Sequence, residues 1–277
     1  MRRMLQLNVL LALGAGSLAA AAACLAGGRV DLLTVLVPAL LVFAVYNFDR
    51  IADDSPAEGR STPLRHAFVA RWRRPLRVVI PLSLVVALAL AWSRGPLSLV
   101  WAVAFPGLGI AYIVPIRLGR FRRLKDIPYL KAFYAPAVWL TLIWLGAALG
   151  GEGANTEVVA FTGFVFLRMF VSAYLGDIRD AADDAAAGVL TPAQRLGVPR
   201  SHRLLGVIHL ASAGLIALAV AMGALPTAGL GLLLAAAIGF FVYRLYRRFP
   251  ERHELLFELY DLEFVAYAPS LALLGMA

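Results

Sequence analysis

The chain has 277 residues, 61% of them hydrophobic and only 16% charged. Average globular chains carry about 25% charged and about 45–50% apolar residues, so this composition excludes a water-soluble enzyme and sets the excess apolar residues against lipid. Its 26 Lys and Arg outnumber 17 Asp and Glu, for a net charge of +9; the basic residues lie in short loops between apolar runs, which speaks for membrane orientation and against nucleic-acid binding. In chain order, apolar windows long enough to cross a bilayer fall at 4–26, 30–48, 76–93, 96–116, 128–149, 156–176, 204–223, 226–246 and 259–277. The last is interrupted by Asp261 and Glu263. These windows are too long, and too little alternating, for strands. They predict an all-α, polytopic membrane protein of about nine transmembrane helices in one domain, 1–277.

The N-terminal run, with Arg2 and Arg3 before an Ala-rich stretch ending near Cys24, reads as a first helix, with a cleaved signal peptide as the alternative. Cys24 is the only cysteine, so an intrachain disulfide or a CxxC motif is excluded. With nine spans, 23 of the 26 basic residues fall on one side, in the N-terminus and in 49–77, 117–131, 177–203 and 244–252. The opposite side has Arg29 and Arg94, and Arg168 falls inside a span. By the positive-inside rule the rich side is cytoplasmic. Arg168 is read as functional, or as snorkelling to the cytoplasmic end.

Seven acids cluster at two helix ends on that side. Asp49, Asp53 and Asp54 follow the second span, and Asp177, Asp180, Asp183 and Asp184 follow the sixth. Helical spacing sorts them: Asp49 and Asp53 share one face, and Asp177, Asp180 and Asp184 share another. Like charges on one face need cationic compensation, from nearby Arg and Lys or from a divalent ion. Oxygen-only ligands suit Mg²⁺, which keeps waters or substrate phosphates at its other positions. Two such clusters facing each other would hold a diphosphate through Mg²⁺. Ordinary solvated loop charge, paired with Arg50 and Arg179, is the alternative. The histidines show no metal-binding spacing.

On these residues the chain resembles the UbiA superfamily of intramembrane prenyltransferases. Asp177-Ile-Arg-Asp180-Ala-Ala-Asp-Asp184, with Gly188, Thr191, Leu196 and Gly197 downstream, matches that family's DxxDxxxD element and its downstream Gly, Thr and Leu-Gly. Asp49-Arg50-Ile-Ala-Asp53, then Arg60-Ser-Thr-Pro-Leu-Arg65, resembles its first motif, and Tyr112-Ile-Val-Pro115 its Tyr-x-x-Pro segment. Val45 stands where the family writes Asn; Asn47 lies two residues off, roughly 200° around a helix.

The resemblance implies a helical ring around a central cavity, capped by cytoplasmic loops. It implies Mg²⁺ held by Asp49, Asp53, Asp177, Asp180 and Asp184, and an isoprenyl diphosphate whose prenyl group passes to a small hydrophobic acceptor within the bilayer. Arg50, Arg117, Arg122, Arg123, Lys125 and Lys131 are candidates to neutralise the leaving diphosphate, Lys125 and Lys131 foremost; orientation alone also accounts for basic residues there. Tyr46 and Tyr174, one turn before each cluster, would line the cavity or form an interfacial belt; Asn47 completes the substrate-binding set. Two other functions are weighed. A UbiA-type terpene cyclase needs no acceptor, and a secondary transporter would place its acids near the midplane. No residue selects the acceptor or the prenyl chain length.

Overall fold

Residues 7–52, 63–115, 123–124, 127, 129–186 and 188–276 are described in the computed structural model of the chain. Apart from the last, the apolar windows satisfy their backbones internally as helices, as segments in lipid must. The long helices are α1 (Val9–Leu25), α2 (Leu32–Ala52), α3 (Pro63–Trp92), α4 (Pro96–Ile113), α5 (Leu130–Gly150) and α6 (Thr156–Arg179). Short α7 (Ala181–Ala186) and α8 (Pro192–Leu196) lead to α9 (Val198–Ala221) and α10 (Leu232–Arg248), and α11 (His253–Leu259), α12 (Leu262–Val265) and α13 (Tyr267–Leu273) end the chain. Among the described residues there is no strand. Among the described residues seven helical stretches are long and apolar enough to cross a membrane, the last of them, Thr227–Arg248, formed by α10 and the 3₁₀ turn before it; α1, at 17 residues, is shorter. The chain is an integral membrane protein.

Apolar residues face outward as well as inward. On α3, Val78, Leu82, Val85 and Trp92 are 58–66% exposed, while Leu76, Ile80, Ser83, Ala87 and Ala91 are buried. Large side chains meet lipid and several small ones meet protein, as expected where close helix packing drives association.

Successive contacts close a ring, α2–α4–α5–α6–α9–α10–α12, which returns through α1 to α2. Helix α1 is clasped within it, with thirteen of its seventeen residues buried. Glycine permits this. A Cβ on Gly146 of α5 would stand 2.2 Å from the Ala19 carbonyl oxygen, and one on Gly16 would stand 2.6 Å from that of Val35. The N-terminal run thus packs as a core helix. At the face opposite the acidic clusters, Asp31 caps α2 through Leu33 N–H at 2.9 Å and pairs with both Arg94 and Arg29.

The expected last span is broken into α11, α12 and α13, and α1 helps explain why. Pro269 has no N–H to give the Val265 carbonyl. Ser17 of α1 supplies the missing donor through its hydroxyl, at 2.8 Å, and accepts from Ala268 N–H at 3.0 Å. The broken helix is thereby completed by a side chain some 250 residues away in sequence.

Arg168 does not snorkel. Wholly buried in α6, its guanidinium forks onto the equally buried Glu263 of α12, with Nη2 donating to Oε2 at 2.6 Å. It also donates to His209 Nδ1 at 2.6 Å and Ser212 at 3.1 Å on α9, and to the Ala236 carbonyl of α10 at 3.3 Å. Tyr267 donates to Glu263 at 3.1 Å. Gly239 leaves the room, because a Cβ there would stand 1.7 Å from Glu263 Oε2. This buried pair ties α6, α9, α10 and α12 together.

Candidate functional site

A cavity of about 270 Å³ opens inside the ring, walled by α1, α2, α4, α5, α6 and the α11–α12 turn. Its apolar wall includes Leu11, Phe105, Val138, Trp139 and Met169, and its polar end has Asp49, Arg50, Lys131, Arg179 and Asp180. The two acidic helix ends therefore meet at one cavity, although they lie over 120 residues apart.

The spacing works across the end of α6, where Asp177 lies in the helix, Asp180 caps it and Asp184 follows in α7. Asp177, Asp180 and Asp184 converge on the ammonium of Lys131, at 3.4, 3.8 and 3.0 Å. Asp177 is wholly buried, and apart from that ion pair neither of its carboxylate oxygens has a hydrogen-bond partner among the described residues. Arg179 clasps Asp180 with two bonds of 2.7 and 2.9 Å and lies 4.3 Å over the Phe257 ring. Burial pushes the Asp184 carboxyl above its ordinary range, against the pull of the Lys131 charge.

The residues downstream of the second motif hold this end in place. Thr191 and Gln194 form a capping box at the start of α8, and Gln194 reaches back to the Ala181 carbonyl at 3.1 Å. Gly188 and Gly197 adopt positive φ at the turns on either side, where a side chain would be strained. Tyr129 N–H donates to Leu190, and Arg195 donates to the Tyr129 hydroxyl, so the loop is tied to the entrance of α5, which presents Lys131.

The first motif is divided. Asp49, Arg50 and Tyr46 line the cavity, as does Val45 at the position of the family's Asn. Asp53 lies outside the described residues, as do Asp54, Arg117, Arg122 and Lys125. Arg123 is described, and it is not among the cavity-lining residues. Among the described residues no three His, Cys, Asp or Glu side chains are placed to hold one metal ion. The donor set still suits Mg²⁺. The carboxylates offer oxygen alone, as Mg²⁺ prefers, and outside its ion pair with Lys131 the buried Asp177 has no hydrogen bond to either oxygen among the described residues.

Two expected substrate contacts lie elsewhere. Tyr174 is fully buried and shares a hydrogen bond with Ser201 of α9 at 3.1 Å; it does not line the cavity, because its face of α6 packs against α9. Asn47 is also buried and outside the lining; its amide donates to the carbonyls of Leu7 and Phe43 at 3.0 and 2.8 Å. Two residues from Asp49 is about 200° of helix, which turns Asn47 toward the start of α1. Tyr46 keeps its expected place, its oxygen accepting from Trp139 Nε1 at 2.6 Å. Tyr112 and Tyr134, stacked at 4.9 Å, join it in the wall. Tyr112 belongs to the Tyr-x-x-Pro segment, but nothing in the sequence pairs it with Tyr134. Asn8, Glu258 and Asp261 also line the cavity, and their local sequence carries no motif.

The model of the UbiA prenyltransferase family matches residues 73–262. Among solved structures, a UbiA homolog from Aeropyrum pernix K1 in its apo form superposes with a TM-score of 0.70 at 16% identity, covering 96% of this chain and 98% of that one. A UbiA homolog from Archaeoglobus fulgidus bound to DMAPP and Mg²⁺ gives 0.66 at 16% identity, covering 98% and 99%. The same homolog bound to GPP and Mg²⁺ gives 0.65 at 15% identity, with the same coverage. No curated protein matches the sequence.

Proposed function

The chain belongs to the UbiA prenyltransferase family, and from that premise we propose that it transfers a prenyl group from an isoprenyl diphosphate to a small hydrophobic acceptor in the membrane, with Mg²⁺. The observation that carries this reading is the meeting of Asp49 and the Asp177–Asp184 face at one end of an apolar cavity. The DMAPP, GPP and Mg²⁺ held by the Archaeoglobus fulgidus homolog support the donor and the metal. We read residues 1–277 as a single domain, since α1 and α12 pack together to close the ring, with the site open to the cytoplasmic side, where the basic loops lie.

Asp49, Asp53, Asp177, Asp180 and Asp184 are the residues that would hold Mg²⁺. Bound there, it would supply Lewis-acid charge against the developing negative charge of the leaving diphosphate. The chain's own cations share that work. Lys131 and Arg179 stand at the cavity's polar end among Asp177, Asp180 and Asp184, and their positive charge stabilises the diphosphate as the C1–O bond breaks with its electron pair. Arg50 lies beside Asp49 at the same end; Arg117 and Lys125, outside the described residues, belong to the same proposal. The ring faces of Tyr46, Tyr112 and Tyr134 steady the allylic cation. The apolar wall holds the prenyl chain and keeps water from the cation.

The purified protein, incubated with a prenyl diphosphate and Mg²⁺, is expected to release diphosphate, and chelation is expected to abolish release. Asp49→Ala and Asp180→Ala should lower it at least a hundredfold while melting near the parent temperature. Unchanged release would sink the site assignment, and a cyclic hydrocarbon formed without acceptor would make the protein a cyclase.

A further inference from the structure

We propose that Lys131 makes metal binding conditional on the diphosphate. Its ammonium holds the carboxylates that would take Mg²⁺ until a diphosphate draws it off, so metal and diphosphate enter together; this rests on the prenyl-transfer reading above. The ammonium stands 3.4 Å from Asp177, 3.8 Å from Asp180 and 3.0 Å from Asp184. A lysine that only marks the cytoplasmic side has no need of three carboxylates.

The surrounding structure aims this side chain. Lys131 lies in the first turn of α5, two residues after Tyr129, whose φ is +63°. An aromatic residue keeps that conformation only where its neighbours impose it. Here the Tyr129 N–H donates to the Leu190 carbonyl at 3.1 Å, and its hydroxyl accepts from Arg195 at 3.1 Å. The same loop is tied to the carboxylates, since Val189 N–H donates to the Asp184 carbonyl at 2.8 Å. Lysine and carboxylates are thus positioned by one loop, and the flexible part between them is the four-carbon stem of the lysine.

Charge decides the order of entry. Arg179 covers Asp180 with two bonds, and Lys131 covers Asp184 and the buried Asp177. Two cations therefore already face three carboxylates. Mg²⁺ arriving alone would compete with the ammonium for the same oxygens and repel it at low dielectric. A diphosphate reverses the balance. It brings several negative charges to the cavity's polar end, where an ammonium is a compact phosphate partner, so the lysine leaves the carboxylates as the metal takes them. Such coupling is reciprocal: metal and diphosphate raise each other's affinity by the same factor. Without the lysine, Asp177 and Asp184 lack their cation, an unpaired buried carboxylate is costly, and the divalent ion alone should bind more tightly.

The test uses the full chain in detergent, with Mn²⁺ as the spectroscopic stand-in for Mg²⁺ and a prenyl thiolodiphosphate, which resists ionisation, as the diphosphate. Electron paramagnetic resonance counts free Mn²⁺, and protein-free titrations subtract what the analogue itself chelates. The analogue should tighten Mn²⁺ binding by the parent about tenfold or more. Lys131→Met should bind Mn²⁺ alone at least tenfold tighter than the parent and lose most of the coupling, whereas Lys131→Arg, which keeps the charge, should stay close to the parent. Adding Asp184→Asn to Lys131→Met should cancel the gain, which ties the ion to this cluster. A lysine that only braced the fold would weaken metal binding when removed, the opposite sign. The proposal is overturned if the parent binds Mn²⁺ as tightly without the analogue as with it, if Lys131→Met binds Mn²⁺ no tighter than the parent, or if the gain survives Asp184→Asn. Lys131→Gln carries the test should the methionine variant fail to fold. Diphosphate release without this coupling overturns the present inference alone, whereas no release from the parent with any donor overturns the prenyl-transfer reading and this inference with it.

Discussion

Replacing Glu263 with Gln keeps the shape of the side chain and removes its charge, leaving Arg168 charged and buried. The Arg168 fork makes two charge-assisted bonds to Glu263, each contributing about 1.5–3 kcal/mol net. Breaking a buried pair from one side costs about 3–5 kcal/mol, because the remaining charge loses its compensation. His209, Ser212 and the Ala236 carbonyl stay in contact with the guanidinium, but none carries a full negative charge. The expected loss is therefore about 4 kcal/mol. Removing both charges in Arg168→Met/Glu263→Met should recover most of it, since a well-packed apolar replacement is often neutral or stabilising. Gly239→Ala attacks the same pair from α10, as its Cβ would stand 1.7 Å from Glu263 Oε2. Equilibrium unfolding in mixed detergent micelles, run as a double-mutant cycle, measures the coupling. A Glu263→Gln variant within about 1 kcal/mol of the parent, or a double variant no more stable than the worse single one, would refute the clamp.

Ser17→Ala removes both bonds that bridge the break at Pro269 and leaves the Val265 carbonyl bare; the same unfolding assay should show a loss of about 1–3 kcal/mol. Tyr174→Phe and Tyr46→Phe separate packing from cavity contact. The first loses one hydrogen bond to Ser201, about 1 kcal/mol, and should leave donor KM unchanged. The second frees Trp139 Nε1 at the cavity wall and should raise donor KM severalfold in a diphosphate-release assay.

What the sequence makes legible is local and periodic. Apolar length marks the helices because lipid satisfies no backbone group, and at about 3.6 residues per turn an i, i+3, i+7 spacing brings Asp177, Asp180 and Asp184 onto one ammonium. The 200° between Val45 and Asn47 already implies that both cannot face the cavity, and the structure has Val45 facing it. Facing partners are another matter. Tyr174 shares a turn with Asp177, yet which neighbour meets that turn depends on α9, and Ser201 takes its hydroxyl.

The last helix shows the same limit most sharply. Asp261 and Glu263 stand out in an apolar run, but sequence alone cannot say which is structural. Two residues apart on a helix, they point nearly opposite ways. One meets Arg168 in the bundle and the other meets the cavity. The pair that looks like a flaw in a membrane span is thus one device with two faces. Glu263 anchors a turn that lipid would otherwise disfavour, and that anchor keeps Asp261 at the cavity. Stability and the cavity wall are therefore coupled in one direction. Glu263→Gln should lower both stability and diphosphate release, because loosening the anchor lets the Asp261 turn drift from the wall, whereas Asp261→Asn should leave the anchor and the unfolding free energy unchanged. Measuring unfolding and diphosphate release in both variants decides it, and a Glu263→Gln protein that releases diphosphate at the parent rate would refute the coupling.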